Sequence, residues 1–171
     1  MTRWSHLLAF IPFLALPALA PAQQAPAPTP ESVIGWAPCA DYKLATYEQI
    51  AEYFRVLDEA SDRMQLVEIG ETAEGRTQLM AIISSASNMR NLDRYKAISQ
   101  QLARARVSDD EARALVDEGK AIVWIDFGLH STEVAHGQTA PWMAYKAVTE
   151  ETEEMRFIRD NVIFLLVPNM N

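Results

Sequence analysis

The stretch AIVWIDFGLHSTEVAHG, residues 121–137, changes character at its middle. Residues 121–127 are almost wholly apolar, the pattern of a strand buried on both faces; a half-exposed strand would alternate. Gly128 then opens a polar turn that holds His130 and Glu133, three residues apart. A second apolar run, NVIFLLVPNMN, occupies residues 161–171. Doubly buried strands need helices over them, and the sequence between supplies helical spacing. Trp142, Met143, Tyr145 and Val148 follow Pro141, a residue that suits the first turn of a helix, and residues 152–160 predict a short charged helix.

Upstream, QLVEIGET and QLMAIISS flank the turn residues Ala73, Glu74, Gly75 and Arg76 and predict a hairpin. Within residues 84–120, Leu92, Tyr95, Ile98 and Leu102 mark one amphipathic helix; Ser108 and Glu111 cap a second, which Gly119 ends. Thr46 and Gln49 form a capping-box pair ahead of Ile50, Tyr53, Phe54 and Leu57, predicting a helix from 46 to about 60. The fold class expected is α/β, a mixed central sheet with helices on both faces. No helix follows the last apolar strand to cover it. A domain ending there would leave that strand as an open sheet edge, so the end of the chain reads as an interruption within a domain.

Residues 1–22 have another composition. Arg3 and His6 precede LLAFIPFLALPALA, a run too short and too broken by Pro12 and Pro17 to span a bilayer. Ala20 and Ala22 place small residues at a cleavage position, so the segment reads as a secretory signal peptide cleaved near Ala22. The mature protein is expected to be exported, periplasmic or extracellular, with no membrane span. Residues 23–40 read as a Pro/Ala-rich linker and lead-in, because QQAPAPTP has nothing to bury. Residues 41–171 read as the folded part. Cys39 is the only cysteine, which excludes an intrachain disulfide and predicts a buried or half-buried thiol. The net charge of −8 speaks against a nucleic-acid surface, which needs clustered Lys and Arg.

A catalytic zinc ion takes three protein ligands and keeps one position open for water. His130 and Glu133 can reach one ion from a tight turn after a strand. Gly128 allows close backbone approach, and the Asp126 carboxylate, at the strand's end, is placed to orient an imidazole. The H-x-x-E spacing alone equally describes a surface histidine beside the first residue of a helix. His136 lies six residues beyond His130, about 240° around a regular helix, and is not expected to share the ion. There is no H-E-x-x-H, Gly-rich phosphate loop, G-x-S-x-G elbow or C-x-x-C. Ser131 beside His130 is adjacency in sequence, not a nucleophile–base pair.

From residue 41 to residue 171 the chain resembles the N-terminal half of the catalytic domain of carboxypeptidase A-type zinc peptidases. DYKLATYEQIAEYF resembles the family's opening segment and first helix, LVEIGETAEGRTQLMAI its first hairpin, AIVWIDFGLHSTE its metal loop, and VIFLLVPNMN the strand before its Asn-Pro-Asp-Gly signature. The resemblance implies that His130 and Glu133 are the first two ligands of Zn2+, that Asn171 opens that signature, and that the substrate is a peptide cut at its C-terminal bond. It also implies that the third ligand, the general base and the groups gripping the substrate's terminal carboxylate lie beyond Asn171, so that the chain alone is inactive. Thr132 stands where digestive members carry an Arg, and the 84–120 segment is longer than theirs, decorating the surface. The alternatives are a zinc amide hydrolase on the same scaffold and a binding module that lost its chemistry.

Overall fold

The computed structural model describes residues 26–171; the segment read as an export signal lies outside them. Among the described residues no helix is long and apolar enough to cross a membrane. Order begins earlier than expected. Thr29 caps a short helix, α1 (Pro30–Ile34), through its side chain, and Gly35 ends it with φ +96°. The lead-in is thus partly folded, with Ala27 and Trp36 packed against the core and the Tyr53 hydroxyl donating to the Pro28 carbonyl. Cys39 is exposed, contrary to expectation, because it sits on the turn after α1 rather than on a packed element.

α2 (Tyr47–Glu59) opens with the Thr46–Gln49 capping box and presents Ile50, Tyr53, Phe54 and Leu57 to the interior. Each such fully buried side chain contributes roughly 1.5–3 kcal/mol of transfer free energy. β1 (Met64–Glu71) and β2 (Thr77–Ile83) form the expected antiparallel hairpin, with a bulge between Glu68 and Gly70. α3 (Ala86–Met89), α4 (Leu92–Arg104) and α5 (Asp109–Glu118) fill the 84–120 segment, and Ser108 with Glu111 makes the second capping box. β3 (Ala121–Asp126), α6 (Val134–Thr149), α7 (Glu153–Asn161) and β4 (Val162–Val167) complete the chain.

The four strands form one mixed sheet in the order β1-β2-β4-β3, with β4 antiparallel to β2 and parallel to β3. The core lies between this sheet and α1, α2 and α6, while α3 and α7 pack against β1 and β4. β4 pairs on both sides, and β1 and β3 are the outer strands of this sheet. Among the described residues alone, Ile122, Val123 and Trp124 of β3 remain 46%, 38% and 48% exposed. The main neighbour of β3 among the described residues is β4, while α2 packs against β1 and α6 against β2.

The start of α6 also differs from expectation. Pro141 lies inside the helix, seven residues past its first, and not in its first turn. A proline there lacks an N–H for the carbonyl four residues back and costs about 3 kcal/mol in an isolated helix. Ala140 and Ala144 are wholly buried, and Pro141 with them, so packing against the core outweighs the local preference.

Candidate metal centre

β3 and β4 run parallel and side by side, so the loops at their carboxyl ends start as neighbours. Ligand sites in such sheets form beyond the carboxyl ends of the strands. Phe127 N–H donates to the Val167 carbonyl at 3.0 Å, and its own carbonyl accepts from Met170 N–H at 2.8 Å. Asn171 Nδ2 donates to the Leu129 carbonyl at 3.2 Å, and Gln78 Nε2, from β2, to the Met170 carbonyl at 2.8 Å. The loop bearing His130 is therefore fastened to the segment after β4, which is fastened in turn to β2.

Gly128 makes this close approach possible. It has φ +61°, and a Cβ added there would lie 1.8 Å from Asn169 Oδ1. Gly128→Ala is expected to lower stability by about 1–2 kcal/mol, the cost of holding an L-residue in the left-handed region, and to push the Asn169 side chain aside. Gly137→Ala, with nothing within 4 Å, is the control. It should stabilise by about 0.5–1 kcal/mol through helix propensity, and chemical denaturation of both variants reads the difference.

The loop brings the two expected ligands together. His130 Nδ1 is 3.1 Å from Glu133 Oε2, with the backbone closed by Glu133 N–H to the His130 carbonyl at 3.0 Å. Two ligand atoms about 2.0–2.2 Å from one ion sit roughly 3.3–3.6 Å apart when tetrahedral, so the pair needs to open by only a few tenths of an ångström to share a zinc. Glu133 is the residue before the first turn of α6, where a carboxylate is favoured by the helix N-terminus. Both side chains are open to solvent, 68% and 49% exposed. Among the described residues no group of three or more His, Cys, Asp or Glu could hold an ion. The fit is that of two ligands from a larger set.

Asp126 stands at the last position of β3. Its Oδ1 accepts from Trp124 Nε1 at 3.2 Å, because residues two apart on a strand share a face. His136 Nδ1 lies 3.5 Å from the same Glu133 oxygen that His130 meets, a looser approach. Gln138 was not singled out in the sequence. Its amide pairs with both backbone groups of Ala45, at 2.7 and 3.0 Å, and so holds the start of α6 against the lead-in to α2.

Two cavities adjoin here. A smaller one of about 180 Å³ contains His130, Glu133 and Gly128. A larger one of about 500 Å³ lies between the hairpin turn, with Glu74 and Arg76, and the start of α2. They share Tyr47, Asn169 and Asn171, and neither touches the 84–120 segment, which stays on the surface as expected.

A sequence model described as zinc carboxypeptidase matches residues 50–171. No curated protein matches the chain. Among solved structures, carboxypeptidase A from Helicoverpa armigera superposes with a TM-score of 0.53 at 18% identity, over 82% of this chain and 30% of that one. Thrombin activatable fibrinolysis inhibitor gives 0.54 at 12%, over 82% and 29%. A metallo-carboxypeptidase from Burkholderia cenocepacia gives 0.51 at 18%, over 75% and 27%. The chain thus shares their fold while spanning under a third of the length of each.

Proposed function

The chain belongs to the zinc carboxypeptidase family, and we propose that it carries part of the active site of an exported peptidase that removes the C-terminal residue of a peptide. The observation that supports this most is the convergence of His130 Nδ1 and Glu133 Oε2 to 3.1 Å at the end of β3. His130 and Glu133 would supply two of the ligands of a zinc ion, whose chemistry there would be polarisation of the scissile carbonyl and activation of water. The chain's own residues position and orient. The parallel pair β3–β4 fixes where the loop leaves the sheet, and the bonds from Met170 and Asn171 fix its path. Gln138 holds α6 so that Glu133 faces the cavity where the peptide enters. The third ligand, the general base and the grip on the terminal carboxylate are assigned to no residue of this chain.

Two preparations test the reading. The protein expressed from its whole reading frame should release the last residue of a C-terminally unblocked peptide, lose that activity to a chelator and regain it with zinc. The 171-residue chain alone should turn over no such peptide, since two ligands hold zinc weakly and no base is present. Absence of chelator-sensitive release from the whole protein would overturn the peptidase reading. Release by the 171-residue chain alone would overturn the assignment of the base outside it.

A further inference from the structure

We propose that Asn169 holds the substrate: its side-chain amide, at the junction of the metal cavity and the larger cavity beside it, hydrogen-bonds the peptide backbone. The proposal rests on the peptidase reading above and says where the peptide runs. The metal cavity alone, about 180 Å³, is smaller than the 300–1,000 Å³ usual for ligand sites; together with the neighbouring 500 Å³ it falls in that range. A substrate that fills both must pass the three residues common to them. The Tyr47 hydroxyl is occupied by the Thr77 carbonyl, and Asn171 Nδ2 by the Leu129 carbonyl. Among the described residues no hydrogen bond takes up the Asn169 amide.

The backbone that carries that amide is anchored on its far side, at Met170. The amide oxygen sits over the face of Gly128 where a Cβ would be, at 1.8 Å from that position. The next residue, Met170, is pinned through its N–H to Phe127 and through its carbonyl to Gln78. An amide on an anchored backbone has only its own side-chain torsions to order when a ligand arrives. The chemistry suits a peptide group, because Asn offers one acceptor and two donors, the complement of a backbone C=O and N–H. Charge does not compete for the passage. Arg76, on the far side of the larger cavity, is already paired with Glu74 at 2.8 Å and Glu48 at 3.8 Å. The substrate class is therefore a peptide long enough to run from the metal into the larger cavity, read there by its backbone.

The test compares Asn169→Ala and Asn169→Asp with the parent in the protein expressed from its whole reading frame, using a C-terminally unblocked tetrapeptide. Zinc content and melting temperature are measured alongside. Losing one neutral hydrogen bond to bound substrate should raise KM about 3- to 10-fold with kcat and zinc content unchanged, the signature of binding shared by ground and transition states. Asn169→Asp keeps the shape and loses the donors, so it carries the test if the alanine variant folds poorly. A parental KM in both variants would overturn the proposal, as would a fall in kcat that tracks lost zinc, which would make Asn169 a support of the metal loop. Failure of the parent to release a terminal residue would instead count against the peptidase reading.

Discussion

Arg159→Met is expected to lower stability by about 3–5 kcal/mol, enough to unfold many domains of this size. Arg159 is 2% exposed. Its Nη1 donates to the Ala147 carbonyl at 3.1 Å and the Glu150 carbonyl at 2.6 Å, and its Nη2 meets Glu151 Oε1 at 3.3 Å. The last carbonyls of a helix have no partner within it, and those at the end of α6 are buried under α7, where water cannot replace the guanidinium. The backbone of Arg159 is a hub as well. Its carbonyl accepts from Ser85 N–H, Ser84 Oγ and Asn88 Nδ2, tying α7 to the end of β2 and the start of α3. Burial, and then the nearby Arg63, push the guanidinium pKa below its ordinary value, though it stays charged.

Methionine fills the space of the stem but donates nothing, leaving two carbonyls unsatisfied. The midpoint of urea unfolding reads the loss, and a fall of less than about 1 kcal/mol would show that water reaches the α6 carbonyls after all. The same network predicts acid sensitivity. The Arg63 hydrogen bond holds the Glu151 carboxyl below its usual range. A carboxylate with a depressed folded pKa contributes stability above its unfolded value, and that contribution fades as pH falls through the folded one. Glu151 is half exposed, so the share lost is small beside that of the buried arginine.

What the sequence disclosed is what neighbours in the chain decide. Thr46–Gln49 and Ser108–Glu111 close hydrogen bonds within one turn, and both helices begin where those pairs place them. The hairpin and its turn are local in the same way. The edge position of β3 is not local. Strand order is set by pairings between segments far apart in the chain, β2 with β4 and β4 with β3, which no local pattern announces. Pro141 misled for the same reason, its propensity being set aside by burial of Ala140 and Ala144. At the site, His130 and Glu133 were legible because a short loop joins them. Asn169 was not, because it meets Gly128 only after β3 and β4 have paired in parallel. The one signal in the sequence was two apolar strands each followed by a polar turn, which does not say that they are neighbours.

The largest effect on activity is expected from His130→Ala, which should weaken zinc binding by more than about 100-fold in the whole protein, since losing even an outer partner of a zinc ligand typically costs 10- to 100-fold. Peptide release should fall with it. The variant separates metal from fold because the His130 side chain is 68% exposed and its one side-chain partner is Glu133. Removing such a surface group changes stability by no more than about 0.5 kcal/mol. His136→Ala is the companion measurement. His136 approaches the same carboxylate oxygen at 3.5 Å against 3.1 Å for His130, and stands in the first turn of α6. If the ion lies between His130 and Glu133, His136→Ala should cost clearly less than His130→Ala, no more than the roughly 10- to 100-fold of a lost outer contact. Competition with a calibrated chelator gives both constants. Equal losses in the two variants would place the ion between Glu133 and His136, and the loop after β3 would then not be the metal loop that the 3.1 Å approach describes.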